Sequence, residues 1–339
     1  MNENDSTLPV STDSLSEYAP YKLQHLLATS AFVADTGSTS ITDSRSKSPM
    51  EKATTPTSTS RRRSFIRCFF PNNRSRLASA PAESDESAKK LSNDTCDMRL
   101  FIIRHGERVD RYFGASWYRL VFDHNNQYRP YHRNFPPSLP MRSNNSLWAL
   151  DCPLTLSGLK SAEQLGRSLR SKNFLPNYVY SSPAMRCIQT TVQILKGLGL
   201  NESIRIRIEP GLLELGAARF GMNIFYQPHD WSKYGINIDL SYQPIVAHIP
   251  ALEREETYYL RSKHVVRELE KRHQKTSDES PNIFIIAHAT SPDTLTWDLV
   301  GRQTNANDLY RFALKIAYLQ TTIAERRPEN RCWSINVLR

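Results

Sequence analysis

The sequence predicts an α/β fold: one three-layer αβα domain over residues 96–339, with a largely parallel central sheet and helices on both faces, preceded by a disordered polar tail over residues 1–95. Three observations carry that expectation. Two short apolar runs each end in a histidine, RLFIIRHGER at Arg99–Arg108 and NIFIIAHA at Asn282–Ala289; such runs suit a buried strand and are too short for an ordinary helix. Helical patterns alternate with strand-like runs between them, the order that builds a parallel sheet from crossover units. Residues 1–95 are dominated by Ser, Thr, Asp, Glu, Lys, Arg and Pro, too polar to bury the surface that would offset ordering entropy. The remaining stretch of about 240 residues is large enough for one domain with a sizeable core.

The tail holds a conspicuous share of the net charge of +10: RRRSFIRCFFPNNRSR at 61–76 has six arginines and no acid. Its interleaved Phe65, Ile66, Phe69 and Phe70 admit weak contact with an anionic membrane surface, and Cys68 is a candidate for palmitoylation. The plainer reading is a solvated linker. Arg61–Ser64 also resembles a basic-directed kinase site. Five scattered cysteines without CxxC spacing indicate neither a disulfide framework nor a zinc site. The N-terminal MNENDSTLPV has no basic or apolar leader pattern, and no apolar run reaches membrane-spanning length. The expectation is a cytoplasmic protein, membrane-peripheral if the patch binds lipid, with no metal and no cofactor. No nucleic-acid partner is expected, since no recognisable binding module accompanies the basic patch.

After the first strand, Val109–Leu150 is a long excursion rich in aromatics, Pro, Asn and Arg. Loops of that length are usually functional, so it reads as a wall of the site rather than core. A helix follows within Asp151–Ser171, capped by Thr155 or Ser157, with Leu159, Ala162, Leu165, Gly166 and Leu169 on one face. Tyr178–Ser181 is a strand. Ser182-Pro183 then reads as cap and first helical position of a helix that runs to Lys196 and ends at Gly197. Arg186 in its first turn opposes the helix dipole unless an anion is held there. Ile204–Ile208 is a half-exposed strand that turns at Pro210-Gly211 and presents Glu214. The aromatic stretch Gly216–Pro250 reads as a satellite core or a substrate-facing lid. Glu253–Arg272 is a charged helix with Tyr258, Tyr259, Val265, Val266 and Leu269 inward, while Phe312–Gln320 and Arg331–Leu338 read as the last strands.

Two buried parallel strands that each deliver a histidine at the carboxyl end place both rings in the crevice where open α/β sheets bind ligands. Arg104, Arg108 and Arg186 make that crevice cationic. Several planar guanidinium forks at once suit phosphoryl oxygens better than a carboxylate. Nearby cations favour a neutral histidine with a free ring nitrogen that attacks phosphorus, while a carboxylic acid protonates the leaving oxygen and then activates water. Cys187 reads as a core thiol.

With these residues in view, the sequence resembles the histidine phosphatase, or phosphoglycerate mutase-like, superfamily. Within it the resemblance is to the phosphatase domain of the ubiquitin-associated and SH3 domain-containing (Sts or TULA) proteins and to insect ecdysteroid-phosphate phosphatases. RHGERVDRYFGASW, PPSLPMR, SSPAMRCIQTTVQILKGLG, IRIEPGLLE and NIFIIAHATS carry it in order, over about residues 99–338. The resemblance implies His105 as the nucleophile that forms a phosphohistidine, Arg104, Arg108 and Arg186 as phosphate ligands, Glu214 as acid and base, His288 completing the pocket, and no metal. Glu107 and Glu209 stand close enough in sequence to compete for the acid's role.

The implied activity is a phosphomonoesterase of the histidine acid type, acting on protein phosphotyrosine or a small phosphorylated metabolite. The alternatives are a phosphoglycerate-type mutase and a non-catalytic adaptor that holds a phosphorylated ligand. The polar tail leaves no room for the folded ubiquitin-binding and SH3 modules that full-length relatives carry upstream. The aromatic expected after Glu214 is absent from LGAARFG, and the chain stops short of the C-terminal extension of Sts-type proteins. A homodimer is compatible with the resemblance.

Overall fold

The computed structural model describes residues 96–274 and 280–338. The expected disordered tail, its patch at 61–76 and Cys68 lie outside the described residues. Six strands form one sheet: β1 (Met98–Arg104), β2 (Tyr178–Ser181), β3 (Ile206–Ile208), β4 (Asn282–Ala287), β5 (Thr321–Arg326) and β6 (Trp333–Val337), in the order β3-β2-β4-β1-β5-β6. The first four positions of that order are parallel and the last two pairings are antiparallel, so the sheet is largely parallel as expected. The two histidine-bearing strands are immediate neighbours, with Ile102 opposite Ile285 and Arg104 opposite Ala287.

The helices are α1 (Val109–Phe113), α2 (Leu156–Ser171), α3 (Met185–Leu198), α4 (Pro228–Lys233), α5 (Glu255–Arg272), α6 (Ser291–Thr294) and α7 (Leu309–Ala313). Side chains alternate across each strand. Phe101, Ile103, Phe284 and Ile286 therefore meet α2 and α3 residues such as Ala162, Leu169, Ile188 and Ile194 on one face. Leu100, Ile102, Ile283 and Ile285 meet Val265, Val266 and Leu269 of α5 on the other. Among the described residues no helix is long and apolar enough to cross a membrane.

Thr155 caps α2 as expected, its hydroxyl accepting from the Gly158 N–H at 2.9 Å. Gly158 is glycine for a steric reason: a Cβ there would lie 2.5 Å from the Glu107 carbonyl oxygen. The first turn of α2 thus presses directly on the loop that carries His105. Gly158→Ala is expected to lower stability by about 1–3 kcal/mol, as overpacking does. Urea unfolding checks this, and an unchanged midpoint would refute the contact.

Four details depart from the sequence reading. Ser182 is not the cap of α3: Ala184 holds the cap position and makes no side-chain bond, and the Met185 N–H is instead satisfied at 2.8 Å by Oδ1 of the buried Asp151. The helix runs through Gly197 and ends at Gly199, whose φ of 74° closes it. Gly197 packs against α2, where a Cβ would overlap the Glu163 carbonyl. Phe312–Gln320 is not a strand. α7 ends at Ala313, and the chain turns through Leu319 at φ 61° before β5 starts at Thr321. Val109–Leu150 is not merely a wall, because Trp117, Val121, Phe135 and Trp148 are buried in the main core. The second aromatic stretch also takes the core reading: Ile224, Phe225 and Trp231 join that cluster, while Tyr234 is half exposed.

Candidate active site

The carboxyl ends of four consecutive parallel strands converge on one crevice, the position where open α/β sheets bind ligands. β1 delivers His105, β4 delivers His288, the chain after β2 delivers Ser182 and Arg186, and the turn after β3 delivers Glu214. The imidazoles of His105 and His288 lie with ring centroids 5.6 Å apart at an interplanar angle of 69°. Both are buried.

His105 is anchored twice through its own strand end. Its backbone N–H donates to the Ala287 carbonyl at 3.0 Å, and its Nδ1 lies 2.9 Å from the Gly106 carbonyl. A carbonyl oxygen only accepts, so Nδ1 carries the proton and Nε2 keeps its lone pair. The Gly106 N–H in turn donates to Thr190 Oγ1 of α3 at 3.0 Å. Burial, followed by the charges of Arg186, Arg108 and Arg104, holds the pKa of His105 well below the usual histidine value. Burial and Arg186 do the same for His288.

Arg186 explains its awkward place in α3 by what it touches. One of its terminal nitrogens lies 3.2 Å from Glu214 Oε2 and 3.1 Å from His288 Nδ1. Arg108 is held by Asp110 through two bonds, at 2.9 Å from Nε and 2.5 Å from Nη2, which fixes the direction of its fork. Arg104 gives Nη1 to the Ile316 carbonyl, and its guanidinium carbon sits 4.2 Å above the Tyr318 ring. Tyr318 also borders His105, its ring centroid 5.9 Å from that of the imidazole.

Of the three carboxylates the sequence offered, Glu214 is the one in contact with Arg186 and near His288, at 3.8 Å from Nδ1. Glu107 accepts from the Thr155 hydroxyl at 2.7 Å, at the start of α2. Glu209 is fully buried and ties down its loop, accepting from the N–H groups of Gly211, Ile245 and Val246 and from the Tyr242 hydroxyl. Burial pushes the Cys187 thiol up to about 12, in keeping with a core thiol rather than a thiolate.

All six residues expected in the site thus lie around one crevice, and the sequence reading missed several of their supports. Asp151, which caps α3, is gripped by Arg142 at 2.7 Å, and Arg142 lies between the Trp148 and Tyr226 rings at 4.6 Å from each. No spacing rule links Arg142 to Asp151 or either to Met185. Tyr318 was hidden by the strand-like alternation of Phe312–Gln320, and Ser182 by its likeness to a cap.

The family model for the histidine phosphatase superfamily (branch 1) matches residues 143–336, more than half of the chain. The chain belongs to the histidine phosphatase superfamily. Over 245 residues it is 34% identical to the human ubiquitin-associated and SH3 domain-containing protein B, a match covering 70% of this chain and 37% of that protein. It is 33% identical over 235 residues to the ecdysteroid-phosphate phosphatase of Drosophila melanogaster, covering 67% of this chain and 30% of that one. The chain therefore spans about a third of the length of these curated relatives. Among solved structures, the ecdysone phosphate phosphatase of the silkworm, crystallised with tungstate, superposes with a TM-score of 0.61 at 27% identity. That match covers 70% of this chain and 92% of that one. Two of these similar proteins, from Drosophila melanogaster and the silkworm, are named as phosphatases.

Proposed function

We propose that this histidine phosphatase is a metal-independent phosphomonoesterase that works through a phosphohistidine at His105, on protein phosphotyrosine or a small phosphorylated metabolite. The observation that carries the reading is the state of the His105 ring: Nδ1–H is committed to the Gly106 carbonyl, which leaves Nε2 as a neutral lone pair beside three arginines. A phosphoryl group seated among Arg104, Arg108 and Arg186 meets that lone pair. Nε2 forms the N–P bond as the P–O bond to the leaving group breaks, and Glu214, protonated, supplies the proton to the departing oxygen. Water then attacks phosphorus while Glu214 as carboxylate takes its proton, the N–P bond breaks, and phosphate leaves with His105 restored. The arginines offset charge gathering on the phosphoryl oxygens. In the resting site Arg186 is engaged by Glu214 and His288, so a phosphoryl group enters by taking over bonds that already exist.

One of the relatives is named for a steroid phosphate as its substrate. The Tyr318 ring stacked on Arg104 supports an aromatic or flat leaving group. The test is steady phosphate release from p-nitrophenyl phosphate, then from a panel of phosphotyrosine peptides, steroid phosphates and sugar phosphates. Acid-quench trapping of label on His105 belongs to the same experiment. Tight phosphate binding with no label and no turnover would favour an adaptor, and interconversion of phosphoglycerates without release would favour a mutase.

The pH profile follows from the sign of the His105 shift. Protonation of Nε2 removes the nucleophile, and the pKa for that event is depressed below the usual 6.5. The neutral form therefore persists as pH falls through 6.5, and activity is lost only below that point. A kcat/KM profile whose acidic limb is centred at or above pH 6.5 would contradict it.

A further inference from the structure

Ser182 is fully buried, and its hydroxyl lies 2.9 Å from Nε2 of His288, which is fully buried as well. On the other side of the ring, Nδ1 is 3.1 Å from Arg186 Nη2 and 3.8 Å from Glu214 Oε2. A guanidinium nitrogen only donates, so in the resting site Nδ1 holds a lone pair and the ring proton sits on Nε2, donated to Ser182 Oγ. Nδ1 is thus the ring atom that faces the phosphate-binding cations, and at rest it is an acceptor. An unprotonated phosphoryl oxygen is an acceptor too. The two can bond only if the proton is on Nδ1.

A backbone carbonyl at Nε2 would forbid that change, because it can only accept. A hydroxyl can accept or donate. We propose that Ser182 is a positioning residue that lets His288 change tautomer when phosphate binds: its hydroxyl accepts from Nε2–H at rest and donates to Nε2 once a phosphoryl oxygen replaces Arg186 at Nδ1. The ring stays neutral throughout. Water supplies the proton taken up at Nδ1 and receives the one released from Nε2, and Ser182 keeps its own proton and turns it towards Nε2. Neutrality is what the surroundings require, since burial and the neighbouring cations oppose an imidazolium here. The inference rests on the reading of His288 as a phosphate ligand.

The test uses the ¹⁵N-labelled full chain and two-bond ¹H–¹⁵N spectra of the histidine rings, with and without saturating inorganic phosphate. The expected result is an Nε2–H ring for His288 in the free protein and an Nδ1–H ring with phosphate bound. Ser182→Ala removes the switchable partner, so phosphate affinity should fall about ten- to a hundredfold, the span that losing one buried hydrogen bond implies. Ser182→Thr should restore both affinity and the tautomer change. If His288 shows the same tautomer in both states of the wild type, the proposal is overturned, even should Ser182→Ala fail to fold. It is equally overturned if Ser182→Ala folds and binds phosphate like the wild type. Turnover of phosphomonoesters with an unmoved tautomer rejects the role of Ser182 alone. A tautomer change without turnover rejects the phosphatase reading alone.

Discussion

His105→Ala is expected to abolish phosphate release from p-nitrophenyl phosphate, by a factor on the order of 10⁴ or more, the scale seen when a covalent nucleophile is deleted. No acid-labile label should remain on the protein after quenching. The variant should still fold, because the anchors that hold this strand end are largely made by the backbone: the residue 105 N–H to Ala287 and the Gly106 N–H to Thr190. What the substitution removes is one lone pair and the ring that holds it. Phosphate should continue to bind, since Arg104, Arg108 and Arg186 are untouched, and a shift of the thermal midpoint with added phosphate would report that binding. Activity within about tenfold of the wild type, in protein free of contaminating phosphatase, would remove His105 from the nucleophile's role and the mechanism with it.

Arg186→Ala is expected to lower kcat/KM by about 10²–10³-fold, the span typical of losing a preorganised charge partner of the transition state. Arg186→Lys should recover little of it, because a point charge cannot reproduce a fork whose one arm already reaches both Glu214 and His288. A second readout separates catalysis from folding. Arg186 is a cation at the start of a helix, placed against the dipole, and it is retained by Glu214 rather than by the core. Phosphate should therefore raise the thermal midpoint of the wild type markedly and that of Arg186→Ala much less. Equal stabilisation of the two by phosphate would place the ligand elsewhere.

The sequence showed most plainly what depends on short-range pattern. The two apolar runs ending in His105 and His288, the misplaced cation Arg186 and the turn that presents Glu214 all follow from a few adjacent residues. What stayed hidden depends on contacts between distant segments. FALKIAYLQ at 312–320 alternates as a strand does, yet its end is set by Arg104, whose backbone O accepts from the Leu319 N–H and whose N–H donates to the Gln320 carbonyl. Those bonds force Leu319 to φ 61°, a conformation that periodicity does not foretell. Ser182 was misread for a similar reason: Ser-Pro is a good local cap signal, but the local use lost to a histidine more than a hundred residues away. Asp151 took over the capping task from outside the helix.

The register of β1 against β4 has a consequence for how such a protein can change over time. Arg104 stands opposite Ala287, so the next rung of that ladder is His105 beside His288. The placement of the two rings side by side therefore follows from the register and spacing of two neighbouring strands. Insertions at the exposed tips of the two aromatic excursions, with their buried Trp117, Trp148 and Trp231 kept in the core, would leave the distance between the two imidazoles unaltered. Chemistry and selectivity are in this way separately heritable, one written into the sheet and the other into its borders.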